Sequence, residues 1–127
     1  MVWAVQAVAQ DASGLARFEG GAFTDRRFAG TELTVHLSQG VPWRVFTLDA
    51  PRRLVVDFRE VDWTGADAAA LDQSERIESL RMGAFRPGWS RLVAELSEPV
   101  TIDEAGLRIS PETGAAELRI TLSTTSQ

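Results

Sequence analysis

Between Arg76 and Arg91 the chain sets four arginines, Arg76, Arg81, Arg86 and Arg91, against one acid, Glu78, and places Phe85 and Trp89 among them. Four positive groups against one negative give a local charge of +3 in a chain whose formal net charge is −5. Guanidinium groups fork carboxylates through paired N–H donors, and aromatic rings offer flat apolar faces, so this is the chemistry of holding a ligand rather than transforming one. The 13 basic residues are all Arg and none is Lys. That bias fits GC-rich coding, or a demand for planar forked recognition that Lys does not meet. Two readings of the arginine run stay open: an exposed binding surface, or pairing with Glu60–Glu75, which holds five acids and no base.

Arg81 and Arg91 are the stronger binding candidates, because alternation sets them opposite core residues on strands rather than on loop tips. Arg53, Val55, Asp57 and Arg59 form the non-core row of an earlier strand. Asp57 there stands between two guanidinium groups at the two-residue spacing of one sheet face, either as a ligand-facing ladder or as a surface ion-pair row worth ~0–1 kcal/mol. Trp43 and Trp63 are either aromatic platforms or core packing, and His36 falls on a strand's polar face.

Catalytic readings fail on residue supply. The chain has no cysteine and one histidine, so neither a thiolate nor a multi-histidine zinc centre can be built. A serine triad would need His36 beside a nucleophile, and no Gly-x-Ser-x-Gly elbow occurs. Asp57, Glu60 and Asp62 lie in one strand-to-loop run, with Glu60 and Asp62 on one face, rather than facing each other across a cleft as a glycosidase requires. The acidic balance disfavours a nucleic-acid partner. No stretch approaches the ~20 apolar residues of a membrane span.

The elements that must position these groups are strands. The 127 residues fit one domain, and the dominant hydrophobic period is two. Leu33, Val35 and Leu37 alternate with polar residues, as do Leu54, Val56 and Phe58, then Leu92, Ala94 and Leu96, then Leu118, Ile120 and Leu122. With Leu15–Glu19, Val41–Leu48, Ile77–Met82 and Leu107–Ser110, the pattern predicts eight or nine short strands. Turns are expected at Gln39-Gly40, Asp49-Ala50-Pro51, Arg86-Pro87-Gly88, Ala105-Gly106 and Pro111–Gly114. One short helix is predicted over Thr64–Gln73, with Thr64 and Asp67 spaced as a capping box.

An internal echo sharpens the class. LTVHLSQGV, from Leu33, matches LVAELSEPV, from Leu92, at an offset of 59, and Leu54-Val56-Phe58 matches Leu118-Ile120-Leu122 at an offset of 64. Two related halves, each apolar on one face, predict an all-β, pseudo-symmetric sandwich of two antiparallel sheets.

Two blocks then carry a family resemblance. The first comprises Phe46, Leu48, Pro51, Arg53, Leu54, Val55, Val56, Asp57 and Phe58; the second comprises Ile77, Leu80, Arg81, Gly83, Phe85, Pro87, Arg91, Leu92, Val93 and Leu96. From about Ala29 to Ser123 the chain resembles the AMIN domain, the non-catalytic amino-terminal module of bacterial periplasmic N-acetylmuramoyl-L-alanine amidases. Leu80 in place of Ile and Glu95 in place of a common Asp are slight departures. The resemblance implies a two-sheet sandwich, no catalytic residue, no cofactor and no metal. It implies peptidoglycan binding that brings a wall amidase to the division septum, with divisome or envelope proteins as further partners. The expected binding residues are Arg81, Arg91, Arg86, Phe85, Trp89, Arg53 and Asp57. AMIN-like domains also occur in secretins, so an envelope protein-interaction module is the alternative, recruiting a partner strand at an exposed sheet edge.

The termini complete the expectation. Val2–Ala9 is mostly apolar and ends Ala7-Val8-Ala9, a small-x-small cleavage pattern, but the first basic residue is Arg17. Residues 1–9 are therefore read as the remnant of an export signal or a disordered terminus, 10–123 as the domain, and 124–127 as the start of a linker to a catalytic domain. Export places the protein in the periplasm of a Gram-negative envelope.

Overall fold

The computed structural model describes residues 15–27 and 30–125. The export-signal reading of residues 1–9 lies outside the described residues. Thr124, expected to open the linker, still pairs with Val100 at the end of the last strand.

Period-two segments become strands: β1 (Ala16–Arg26), β2 (Gly30–Leu37), β3 (Trp43–Leu48), β4 (Arg53–Arg59), β5 (Val61–Asp62), β6 (Asp72–Gln73), β7 (Ile77–Arg86), β8 (Trp89–Leu96), β9 (Val100–Ile109) and β10 (Ala116–Thr124). One sheet runs β9-β10-β2-β1-β5, with β6 also pairing to β1; the other runs β3-β4-β8-β7. The six long ladders are all antiparallel, and among the described residues only the two-residue strands β5 and β6 pair in parallel, each with β1. The class is all-β with two packed sheets, as the alternation predicts.

The echo resolves differently from two halves that each form one sheet. Hairpin β1–β2 sits in the first sheet while β3–β4 sits in the second; β7–β8 then joins the second and β9–β10 the first. Each sheet therefore takes two long strands from each half. The registers carry the repeat faithfully. Leu33 pairs with Ile120 in one sheet, and Leu92 pairs with Val56, their counterparts at offsets of 59 and 64, in the other. A bulge between Phe18 and Gly20 recurs between Ile77 and Ser79. The chain changes sheet after Ser38 and after Ser97, where matching bonds form: Ser38 N–H donates to the Arg17 carbonyl and Ser97 N–H to the Arg76 carbonyl, both at 2.9 Å. The Ser and Val shared by the two nine-residue echoes, Ser38 with Val41 and Ser97 with Val100, mark these crossings.

Between the sheets, Phe23, Leu33, Val35 and Leu37 with Leu118, Ile120 and Leu122 meet Leu54, Val56, Phe58, Leu92, Ala94 and Leu96. Each fully buried large side chain contributes about 1.5–3 kcal/mol through removal from water. Trp43 and Trp63 pack against this core. Trp63 meets Phe58 edge-on at 5.0 Å and donates its indole N–H to Ser90 Oγ at 2.7 Å, the core-packing alternative for that residue.

The helix shortens to α1 (Ala68–Leu71). Asp67 is its N-cap, accepting from Ala69 N–H at 3.1 Å, while Thr64 is held by Asp62 instead of closing a capping box. Ala105-Gly106, expected as a turn, lies inside β9 just past a bulge at Ile102/Glu104, because β10 supplies a continuous partner there. The close approach of β1 to its sheet neighbour β2 beside the bulge explains Gly21: a Cβ at that position would collide with the Thr34 carbonyl oxygen. Among the described residues no helix is long and apolar enough to cross a membrane.

Candidate functional site

In β4, Leu54, Val56 and Phe58 face the core, so Val55 and Asp57 face outward on the second sheet; yet both are buried, at 1% and 0% exposure. Side chains from neighbouring strands cover them. Register explains which ones: Asp57 lies between Arg44 on β3 and Arg91 on β8, and the next row reads Phe46, Val55, Val93 and Arg81. At the far end the Pro87-Gly88 turn, with Gly88 at φ 78°, folds β7 onto β8 and brings Phe85 and Arg86 beside Trp89.

Three guanidinium groups and three rings alternate in a closed cycle on this face. Arg44 lies 5.9 Å from the Phe46 centroid and 5.6 Å from Trp89. Arg91 lies 5.7 Å from Phe46 and 4.1 Å from Phe85. Arg86 closes the cycle at 5.4 Å from Phe85 and 5.6 Å from Trp89. Each contact is worth roughly 0.5–1 kcal/mol at an exposed site. Together they hold flexible side chains flat and lower the entropy cost of presenting them.

Asp57 anchors the cycle from beneath. Arg91 donates to it from Nε at 2.8 Å and from Nη2 at 3.1 Å, and Arg44 donates from Nε at 2.7 Å. Burial pushes the Asp57 carboxyl up, but hydrogen bonds from Arg91 and Arg44, together with their charges, outweigh it and leave the carboxyl below its ordinary range. The same bond raises Arg91. With side-chain exposures of 49% for Arg44 and 31% for Arg91, the guanidinium groups reach solvent while their counter-ion does not.

Of the residues expected from sequence, the fold brings Arg91, Arg86, Phe85, Trp89 and Asp57 into this cluster. Arg81 stands one row away, loosely opposite Glu95 at 4.0 Å. Arg53 does not join: it bonds back to the Pro51 and Asp49 carbonyls of its own hairpin. The two partners of Asp57 are cross-strand neighbours rather than Arg53 and Arg59 along the strand. Nor do the arginines pair with the acids of residues 60–75. Arg76 meets Asp25 and Glu98, and Arg86 has no acid within 4 Å among the described residues. Arg76 helps clamp Asp25, where burial is again outweighed by hydrogen bonds from Ser74, Glu75 N–H and Arg76, lowering the carboxyl.

Sequence reasoning missed Arg44 and Phe46. The signal was present, since Arg44, Phe46 and Leu48 alternate with Trp43 and Val45 on β3. A groove of about 650 Å³ adjoins the cycle, sharing Phe85, Arg86 and Trp89 with it and floored by Trp63 and Met82. His36 is exposed on the other sheet. Among the described residues no group of three or more His, Asp or Glu is placed to hold a metal ion.

The fold is thus a two-sheet β-sandwich that carries an Arg–aromatic surface on the outer face of one sheet. Residues 22–122 match the AMIN domain family, and the chain belongs to it. No curated protein matches the chain. AMIN domains are non-catalytic and cell-wall related, and typically occur in exported envelope proteins.

Proposed function

We propose that this domain binds peptidoglycan through the outer face of the β3-β4-β8-β7 sheet and delivers an attached amidase to the wall at the division septum, in the periplasm. The single observation that carries this reading is the alternating cycle of Arg44, Phe46, Arg91, Phe85, Arg86 and Trp89, pinned by buried Asp57. It presents positive charge and flat rings from a rigid sheet in an otherwise acidic chain. Arg81 extends it by one row. The domain is taken to run from residue 10 to Thr124, the last residue of β10.

Co-sedimentation with purified sacculi tests it. The domain is expected to pellet with the wall, and Arg81→Ala plus Arg86→Ala to remain in the supernatant while keeping its far-UV spectrum. A wild-type domain that stays soluble beside sacculi overturns the reading. The edge strand β9 favours a second reading as an envelope protein-interaction module: its outer side has no strand partner among the described residues, and Ile109 is 53% exposed. A domain that ignores sacculi but captures an envelope protein in a β9-dependent way would favour that module.

A further inference from the structure

We infer that the groups gripped by this face are carboxylates, the free acids of wall stem peptides, rather than the hydroxyls of the glycan strand; the inference rests on the wall-binding reading above. The argument is one of hydrogen-bonding capacity. A neutral sugar hydroxyl both donates and accepts, so a face that reads sugars needs open acceptors as well as donors. This face offers donors. Guanidinium groups donate and never accept, and the indole N–H of Trp89 donates only.

The acceptors beneath the cycle are already engaged, while Glu60 lines the adjoining groove outside it. Asp57 is fully buried, with both oxygens taken by Arg44 and Arg91. Ser90 Oγ turns inward, accepting from Trp63 and donating to the Phe58 carbonyl. Glu95 sits at the rim beside Arg81. What remains open are the N–H edges of Arg86, which has no acid partner, and the terminal nitrogens of Arg44, whose Nε alone contacts Asp57. A carboxylate, which only accepts, is the complementary group.

The rings point the same way. Each of Phe46, Phe85 and Trp89 already carries two guanidinium contacts, so less bare ring is left for a pyranose to stack on. The aromatic groups therefore orient arginines rather than receive sugar. Asp57 acts likewise as a positioning residue: it touches no ligand, yet it turns Arg44 and Arg91 so that their remaining edges face outward.

The test compares binding of the full chain to intact sacculi, to sacculi whose carboxyls have been converted to primary amides, and to glycan strands stripped of stem peptides. Intact sacculi are expected to bind, and both treated materials to lose about tenfold or more in affinity, as expected when hydrogen bonds to a charged group are removed. Arg86→Gln, which breaks no ion pair, should weaken binding to intact sacculi and leave the amidated value unchanged. Equal binding to all three materials overturns the carboxylate assignment and leaves wall binding standing. If intact sacculi are not bound, wall binding falls, and soluble poly-D-glutamate decides the rest: Arg86-dependent binding upholds carboxylate recognition, and no binding removes it.

Discussion

The outer faces of the two sheets share one backbone plan and carry opposite chemistry. The row Arg44, Asp57, Arg91 on the second sheet has its pseudo-symmetric counterpart in Glu104, Thr121, Glu32 on the first. The neighbouring row Phe46, Val55, Val93, Arg81 corresponds to Gly106, Arg119, Thr34, Ala22. Trp89 corresponds to Gly30 by the same offset of 59. An acid between two arginines on one side thus becomes a hydroxyl between two acids on the other. On the first sheet Arg119 is closed off by Glu32 at 3.1 Å and Glu117 at 3.3 Å. The lesson is that the scaffold repeats while the site does not: register sets which side chains meet, and residue type alone decides whether they form an open basic surface.

That contrast is broken most strongly at its centre. Asp57→Ala should cost about 2–3 kcal/mol in urea unfolding, since it leaves two arginines without the buried acid that holds them, moderated because both reach solvent. Thr121→Ala, the equivalent change on the other face, should cost under about 1 kcal/mol. Equal losses at the two positions would erase the distinction.

Acid should sharpen it. Because the folded carboxyls of Asp57 and Asp25 are lowered, their stabilisation is present above the ordinary carboxylate range, near pH ~4, and is lost as pH falls through their folded values. Unfolding free energy should therefore be level near neutrality and decline below about pH 4, with a shallower decline in Asp57→Asn. A profile that weakens on raising pH from 4 to 7 would contradict the assignment.

Smaller effects separate the faces in binding. Arg86→Ala with Arg81→Ala should leave the domain in the supernatant beside sacculi, the wild-type association itself falling as salt rises, at a stability cost of about 1–2 kcal/mol for the two cation–π contacts of Arg86. Arg119→Gln, on the first sheet, should leave association unchanged and cost at most about 1 kcal/mol, because its ion pairs are solvent-exposed. Loss of association in Arg119→Gln would move the site to the other face.

Much of this is legible in the sequence. Leu54-Val56-Phe58 and Leu92-Ala94-Leu96 declared strands and their buried rows, since alternation is a local property of the chain. The Arg76–Arg91 segment declared its charge and its rings. The helix is shorter than the Thr64–Gln73 expectation because Asp67 caps its start and pairing of Asp72–Gln73 with β1 ends it after one turn. Ala105-Gly106 has the composition of a turn, and the ladder to β10 keeps it extended.

By itself the sequence determined the all-β class, the doubled pattern with its offsets, the sidedness of each strand, and the presence of arginines and aromatic residues in quantity. Tertiary structure alone decided that hairpins from the two halves alternate between sheets, and that Arg44 and Phe46 from the first half stand beside Arg91, Phe85, Arg86 and Trp89 from the second. The physical reason is the reach of each constraint. Side-chain alternation is set within two residues, whereas lateral neighbours in a sheet are set by pairing registers between segments tens of residues apart, which only the folded core selects.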